Sequence, residues 1–148
     1  MGFVVREAQV EDAAALAHVN VASWRETYAH ILSPGFLAAL DVDAVAARYA
    51  RGIRSPTSTF MVLEVDGDIR GYSAGGAPLS EDKPRDLELY MLYQLSSEHG
   101  TGSGQALLDA VLGDRPAFLW VAEENPRAIA FYRRNGFQPD GAREVAGA

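Results

Sequence analysis

The sequence predicts one domain of the α/β class, in its α+β form, and three observations lead there. Two apolar runs, Phe60 to Val65 and Ile69 to Ala74, are joined by Asp66-Gly67, a pair suited to a tight hairpin turn, so two antiparallel strands sit in mid-chain. Asp86 to Leu95 is an extended apolar stretch that leads through glycines at 100, 102 and 104 into a helical pattern ending near Leu112. The first third of the chain instead carries apolar residues at helical spacing. With 148 residues the chain can bury a proper core, and a single domain over 1–148 is expected.

In chain order, Phe3 to Glu7 reads as a first strand. Val10 to about Tyr28 reads as a helix, with Ala13, Leu16, Ala17, Asn20, Val21 and Trp24 near one face. Ser33-Pro34-Gly35 breaks it, and a second helical stretch holds Phe36, Leu37, Leu40, Val45, Tyr49 and Ile53. Ser55 to Ser58 is a loop before the hairpin, and Gly75 to Arg85, with two prolines and mixed charge, is a connection over the surface. The central strand, glycine turn and helix follow. A short strand, Ala117 to Ala122, precedes a last helix in which Pro126 suits the first turn and Asn135-Gly136 signals the end. Phe137 to Val145 can supply one more strand, interrupted by Pro139-Asp140-Gly141.

Composition narrows the functions. There are 20 acidic and 13 basic residues, a net charge of −7, which argues against nucleic acid as a partner and favours approach of a cationic amine. The absence of cysteine excludes disulfides, thiolate metal sites and a cysteine nucleophile, and fits a cytoplasmic protein. No run approaches the ~20 apolar residues of a membrane span, and Met1 to Glu7 has no signal-peptide pattern. His18, His30 and His99 are scattered, and no trio of His, Asp or Glu has metal-ligand spacing, so no metal is expected.

The most informative segment is His99-Gly100-Thr101-Gly102-Ser103-Gly104-Gln105. A glycine-rich turn between a strand and a helix cradles phosphate: backbone N–H groups point outward at the helix N-terminus, the dipole favours an anion, and glycine lets it approach. A Walker A loop would need lysine where Gln105 follows Gly104, and a dinucleotide fingerprint would need glycine at Gln105. The segment resembles the pyrophosphate loop, [Q/R]-x-x-G-x-[G/A], of the GNAT superfamily of acetyl-CoA-dependent N-acetyltransferases, with His99 in place of Gln or Arg. Asn125-Pro126-Arg127-Ala128-Ile129-Ala130-Phe131-Tyr132-Arg133-Arg134-Asn135-Gly136-Phe137 resembles that family's second signature, N-x-x-A-x-x-x-Y-x-x-x-G-F. Ser23-Trp24-Arg25-Glu26-Thr27-Tyr28 is similar to a W-R-x-x-Y segment of bacterial members near the spermidine/spermine acetyltransferase-like branch.

The resemblance spans essentially the whole chain and implies a mixed, mostly antiparallel central sheet flanked by about four helices. The chain is expected to lack the family's seventh strand, so that either a second copy covers the sheet edge, as a homodimer, or the open edge is tolerated. It implies acetyl transfer from acetyl-CoA to a primary amine, either a small amine or a peptide N-terminus, by direct attack in a ternary complex. An acyl-CoA-sensing module without turnover is the alternative. His99, Gly100, Thr101, Gly102, Ser103, Gly104 and Gln105 would hold the pyrophosphate. The backbones of Tyr93 and Leu95, where the central strand splays from its neighbour, would bind the pantetheine arm and thioester, and Asn125 would bond that arm. Tyr132 would protonate the departing thiolate, and Glu88, a carboxylate half-buried in the cleft, would take the amine proton. Trp24 and Tyr28, four apart on a helix, would form an aromatic wall for the acceptor. Glu123 and Glu124 would line the rim.

Overall fold

The hairpin forms as expected, and its turn shows why those residues are there. The computed structural model describes residues 2–28, 33, 35, 41–79 and 84–140, the side chains of 27 and 28 excepted. Strand β2 (Ser58–Val65) and strand β3 (Asp68–Gly76) pair antiparallel through Asp66 and Gly67. Their φ values are 52° and 84°, so both central residues take the left-handed conformation of a type I′ turn. Strand β1 (Phe3–Glu7) pairs antiparallel with β2, and β4 (Glu88–Gln94) pairs antiparallel with β3. The two-residue β5 (Phe118–Leu119) runs parallel to β4, giving a five-stranded sheet in the order β1-β2-β3-β4-β5.

Helices cover both faces. Helix α1 (Ala13–Tyr28) and helix α2 (Val42–Arg54) pack one side of the sheet, burying Leu16, Ala17, Val45, Tyr49, Phe60, Val62, Tyr72 and Ala74 together. The Asp41 carboxylate caps α2, accepting from the N–H groups of Asp43 and Ala44. On the other side α3 (Ser103–Leu112) buries Leu108, Val111 and Leu112 against Leu89, and α4 (Pro126–Arg134) adds Phe131 and Tyr132. Arg6 links β1 to Asp12 at 2.8 Å and to Glu64 at 2.6 Å, and its guanidinium holds the Asp12 carboxyl below the usual range. No helix among the described residues is long and apolar enough to cross a membrane.

Three expectations are adjusted, and one other is seen only in part. Helix α1 starts at Ala13, because Val10–Asp12 forms a 3-10 turn closed by a box in which Asp12 accepts from the Gln9 N–H. The second helical stretch is seen from Val42, and 36–40 lie outside the described residues. The strand expected over 117–122 shrinks to Phe118–Leu119, since its pairing with β4 stops there. Residues 137–140 form no strand. Phe137 closes α4 instead: its N–H bonds the Tyr132 carbonyl at 3.0 Å, the Gly136 N–H bonds the Arg133 carbonyl at 3.1 Å, and Gly136 has φ 89°, a Schellman turn. Pro139 has no N–H to offer a ladder. The remainder of that expected strand, 141–145, lies outside the described residues.

Candidate active site

The site begins where β4 and β5 part. Their pairing consists of Glu88 opposite Phe118 and Leu89 opposite Leu119. Beyond that point β4 runs on to Gln94 with no strand beside it on the β5 side among the described residues. The register with β3 skips Tyr90, which bulges, since Ala74 faces Met91 while Gly75 faces Leu89. A bulge bends the strand and strengthens its twist, which helps carry β4 away from β5.

Backbone direction along this free edge corrects one expectation. The Leu95 N–H donates to the Arg70 carbonyl at 3.0 Å and the Leu95 carbonyl accepts from Glu98 N–H at 2.9 Å. Tyr93 stands opposite Tyr72, and a Cβ built on Gly71 would lie 2.9 Å from the Tyr93 carbonyl oxygen, so that carbonyl also points at β3. Tyr93 therefore turns its backbone groups to β3, and Leu95 gives its N–H to β3 and its carbonyl to the turn that follows. By the alternation of a strand it is Leu92 and Gln94 whose backbones face the gap. The Gln94 carbonyl accepts from the Ser23 hydroxyl at 3.2 Å on that side. Sequence could not fix this phase, because the bulge at Tyr90 resets the alternation.

The gap ends at the glycine turn. A 3-10 turn, Ser96–Glu98, leads into Gly100 and Gly102, with φ 80° and 88°, a region that L side chains rarely adopt. Gly102 is the N-cap of α3, whose first internal bond runs from Ala106 N–H to the Gly102 carbonyl at 3.2 Å. The N–H groups of Gly104 and Gln105 precede that bond and belong to the unsatisfied first turn, where an anion is favoured. The nearby side chains secure the loop. Thr101 donates to the Glu98 carbonyl at 2.8 Å and shares a bond of 2.8 Å with the Ser103 hydroxyl, which also accepts from the Gln94 amide at 2.5 Å. The Gln105 amide donates to Asp109 at 3.0 Å and to Asn135 at 2.7 Å, joining α3 to the end of α4. The His99 ring bonds the Gln94 backbone, and its pKa is lowered by burial and by the Arg127 charge, with Glu26 opposing. His99 is thus a neutral hydrogen-bonding group at pH 7.

Gly104 serves a different purpose from its two neighbours. A Cβ there would lie 2.8 Å from the Gln94 side-chain oxygen, whereas one at Gly100 or Gly102 would meet nothing within 4 Å. Gly104→Val is therefore expected to push the Gln94 side chain off its bond to Ser103 and lower stability by about 1 kcal/mol, the scale of one hydrogen bond. Equilibrium denaturation checks this, and a stability equal to wild type would refute the contact.

Across the gap, Asn125 caps α4 by accepting from Ala128 N–H at 3.2 Å, so its side-chain oxygen is committed to the helix. Tyr132 is half-buried, its ring 5.3 Å from that of Phe131 and 5.9 Å from that of Phe137. The Schellman turn thereby fixes the ring that the second signature supplies. Glu88 is more buried than expected, 5 % exposed, with one oxygen accepting from Leu79 N–H at 2.8 Å. The Trp24 indole donates to the Tyr93 hydroxyl at 3.1 Å, while the Tyr28 side chain lies outside the described residues. Glu26 of α1 accepts from the Ser96 hydroxyl at 2.5 Å and from its N–H at 3.3 Å, a link to the loop that no motif announced. His18, Glu123 and Glu124 are exposed, and His30 lies outside the described residues. No cluster of acidic residues and histidines suited to a metal occurs among the described residues. A cleft of about 840 Å³ opens at the other end of the sheet, by Thr57, Gly76, Arg85 and Arg115, and shares no residue with the glycine turn.

Comparison with known proteins gives the family and the fold. Residues 56–139 match the family model described as the acetyltransferase (GNAT) domain. The uncharacterized N-acetyltransferase YuaI of Bacillus subtilis (strain 168) is 34% identical over 146 residues, covering 95% of this chain and 82% of its own. The uncharacterized N-acetyltransferase Rv2669 of Mycobacterium tuberculosis (strain H37Rv) is 36% identical over 110 residues, 70% of this chain and 68% of its own. Among solved structures, the PaiA N-acetyltransferase of Thermoplasma acidophilum in complex with coenzyme A has the same fold, with TM-score 0.76 at 22% identity over 97% of this chain and 94% of that one. An aminoglycoside N-acetyltransferase in complex with CoA gives TM-score 0.74 at 12% identity, over 99% of this chain and 95% of that one.

Proposed function

This chain belongs to the acetyltransferase (GNAT) family, and from that premise we propose that it transfers the acetyl group of acetyl-CoA to a primary amine by direct attack in a ternary complex. One observation carries the reading: beyond its pairing with β5, the edge of β4 at Leu92 has no strand beside it among the described residues, and it leads to the N-terminus of α3. A long ligand with a thioester at one end and a pyrophosphate at the other suits that layout. Its amide-rich arm adds to β4 as an extra strand would, and its phosphates meet the N–H groups around Gly102, Gly104 and Gln105. Both CoA-bound structures of the same fold are consistent with such a cosubstrate.

In this reading the amine nitrogen attacks the thioester carbon, the carbon–sulfur bond breaks, and CoA leaves as thiolate, taking a proton from the Tyr132 hydroxyl. The proton lost by the amine passes toward Glu88, directly or through water. The reaction needs no redox step, and its products are an amide and free CoA thiol. Thiol release from acetyl-CoA in the presence of a panel of primary amines tests the proposal. Release that depends on an amine supports it; binding of acetyl-CoA without amine-dependent release would replace it with a sensing module.

Glu88→Gln separates the proton-accepting role from a structural one, because the amide oxygen can still accept from Leu79 N–H. Turnover is expected to fall about 10²-fold, the lower end of general-base effects, with the melting temperature nearly unchanged. Unaltered turnover would reduce Glu88 to a staple for the chain after β3.

A further inference from the structure

The ring of Tyr93 has a role that its backbone does not. It lies on β4 between Leu92 and Gln94, beyond the last pairing with β5, and its side chain faces α1, where it is half-buried. Trp24 reaches it from α1 with the 3.1 Å bond from indole to hydroxyl, and is half-buried too. Behind Tyr93 stands Tyr72, ring centroids 5.6 Å apart, then Tyr49 at 5.4 Å from Tyr72. The inner hydroxyls satisfy one another. Tyr49 and Tyr72 share a bond of 2.5 Å, and Tyr49 donates to the Met91 sulfur at 3.1 Å. Burial pushes the Tyr49 phenol up to about 12, so it stays neutral. Beyond its pairing with β5, the face of β4 toward α1 is therefore aromatic, backed by aromatic core.

Three carboxylates described on this side of the sheet are each held in place by bonds within the protein. Glu26 binds Ser96, Glu98 is paired with Arg70 at 3.3 Å and accepts from Ser97 at 2.8 Å, and one Glu88 oxygen holds Leu79 N–H. Glu123 and Glu124 follow β5, across the gap. We propose that Trp24 and the Tyr93 ring seat the acceptor, and that this acceptor is a primary amine carried on an aromatic or other apolar body, not a polycation. A polyamine would need a track of free carboxylates along this face, while one ammonium on an apolar body gains from the rings by burial and cation–π attraction. The proposal rests on the acetyl-transfer reading above.

The test is thiol release from acetyl-CoA with phenethylamine, butylamine and spermidine, using wild type, Trp24→Leu and Trp24→Phe. Wild type is expected to favour phenethylamine over spermidine at least tenfold in kcat/KM. Trp24→Leu should raise KM for phenethylamine about tenfold, the scale of losing an aromatic contact, while calorimetric affinity for acetyl-CoA holds. Trp24→Phe, which keeps a ring and removes the N–H, should recover most of the loss and serves if the leucine variant does not fold. A preference for spermidine, or equal losses for all three amines in the variants, would overturn the acceptor proposal and leave acetyl transfer standing. Failure of every amine to release thiol would overturn both.

Discussion

Gly102→Val is expected to abolish useful affinity for acetyl-CoA and CoA while leaving a folded protein. Gly102 combines φ 88° with the N-cap position of α3, and nothing stands within 4 Å of a Cβ built there. The added side chain therefore meets no steric obstacle in the ligand-free protein; its penalty is conformational. A left-handed L-residue costs roughly 1–2 kcal/mol, more for a β-branched one. Relaxing to an extended conformation relieves that strain by swinging the following N–H groups out of line with the helix axis. Each hydrogen bond to a charged group is worth about 1.5–3 kcal/mol, so losing two of them weakens binding at least 10²-fold. Gly113→Val is the control. It lies at the other end of α3 with φ 56° and ψ −133° and open space around its Cβ, so valine there carries at least as much backbone strain, away from the turn. Both variants should melt earlier than wild type, and calorimetry should find weakened acetyl-CoA binding only at Gly102. Full affinity in a folded Gly102 variant would remove the pyrophosphate from this loop.

The three glycines also show how far sequence reached. Their alternation ahead of a helix announced the turn, and the second signature announced α4, because both depend on local backbone demands that residue types record directly. The purposes of the glycines were not legible. Two suit a left-handed backbone conformation, and the third leaves room for the side chain of Gln94, a residue ten positions earlier on another element. The same limit applies along β4. For Tyr93 and Leu95, only the register with Tyr72 and the bond to Arg70 reveal that the Tyr93 backbone and the Leu95 N–H face β3 and that Leu92 and Gln94 border the gap. Nor could sequence pair Trp24 with Tyr93, since their hydrogen bond joins residues 69 apart. Local conformation is written in the chain; strand phase and contacts between elements are settled by packing.

Tyr132→Phe is expected to lower kcat about 10²-fold with little change in acetyl-CoA affinity. The ring is held by its edge contacts to Phe131 and Phe137 and by the Schellman turn, in which the Tyr132 carbonyl accepts from the N–H groups of Asn135 and Phe137. Phenylalanine keeps all of these, so the substitution isolates the hydroxyl. General acid catalysis contributes typically ~10²–10⁴-fold, and CoA thiolate leaves fairly readily, which favours the lower end. Because the proton is delivered to sulfur and not to the incoming amine, the deficit should be the same for every acceptor that turns over. A residue that merely positioned the acceptor would instead give losses that differ from amine to amine, carried largely in KM. Turnover at the wild-type rate would leave Tyr132 as a packing residue with solvent as the acid, and a matching loss of acetyl-CoA affinity would make its hydroxyl a binding contact.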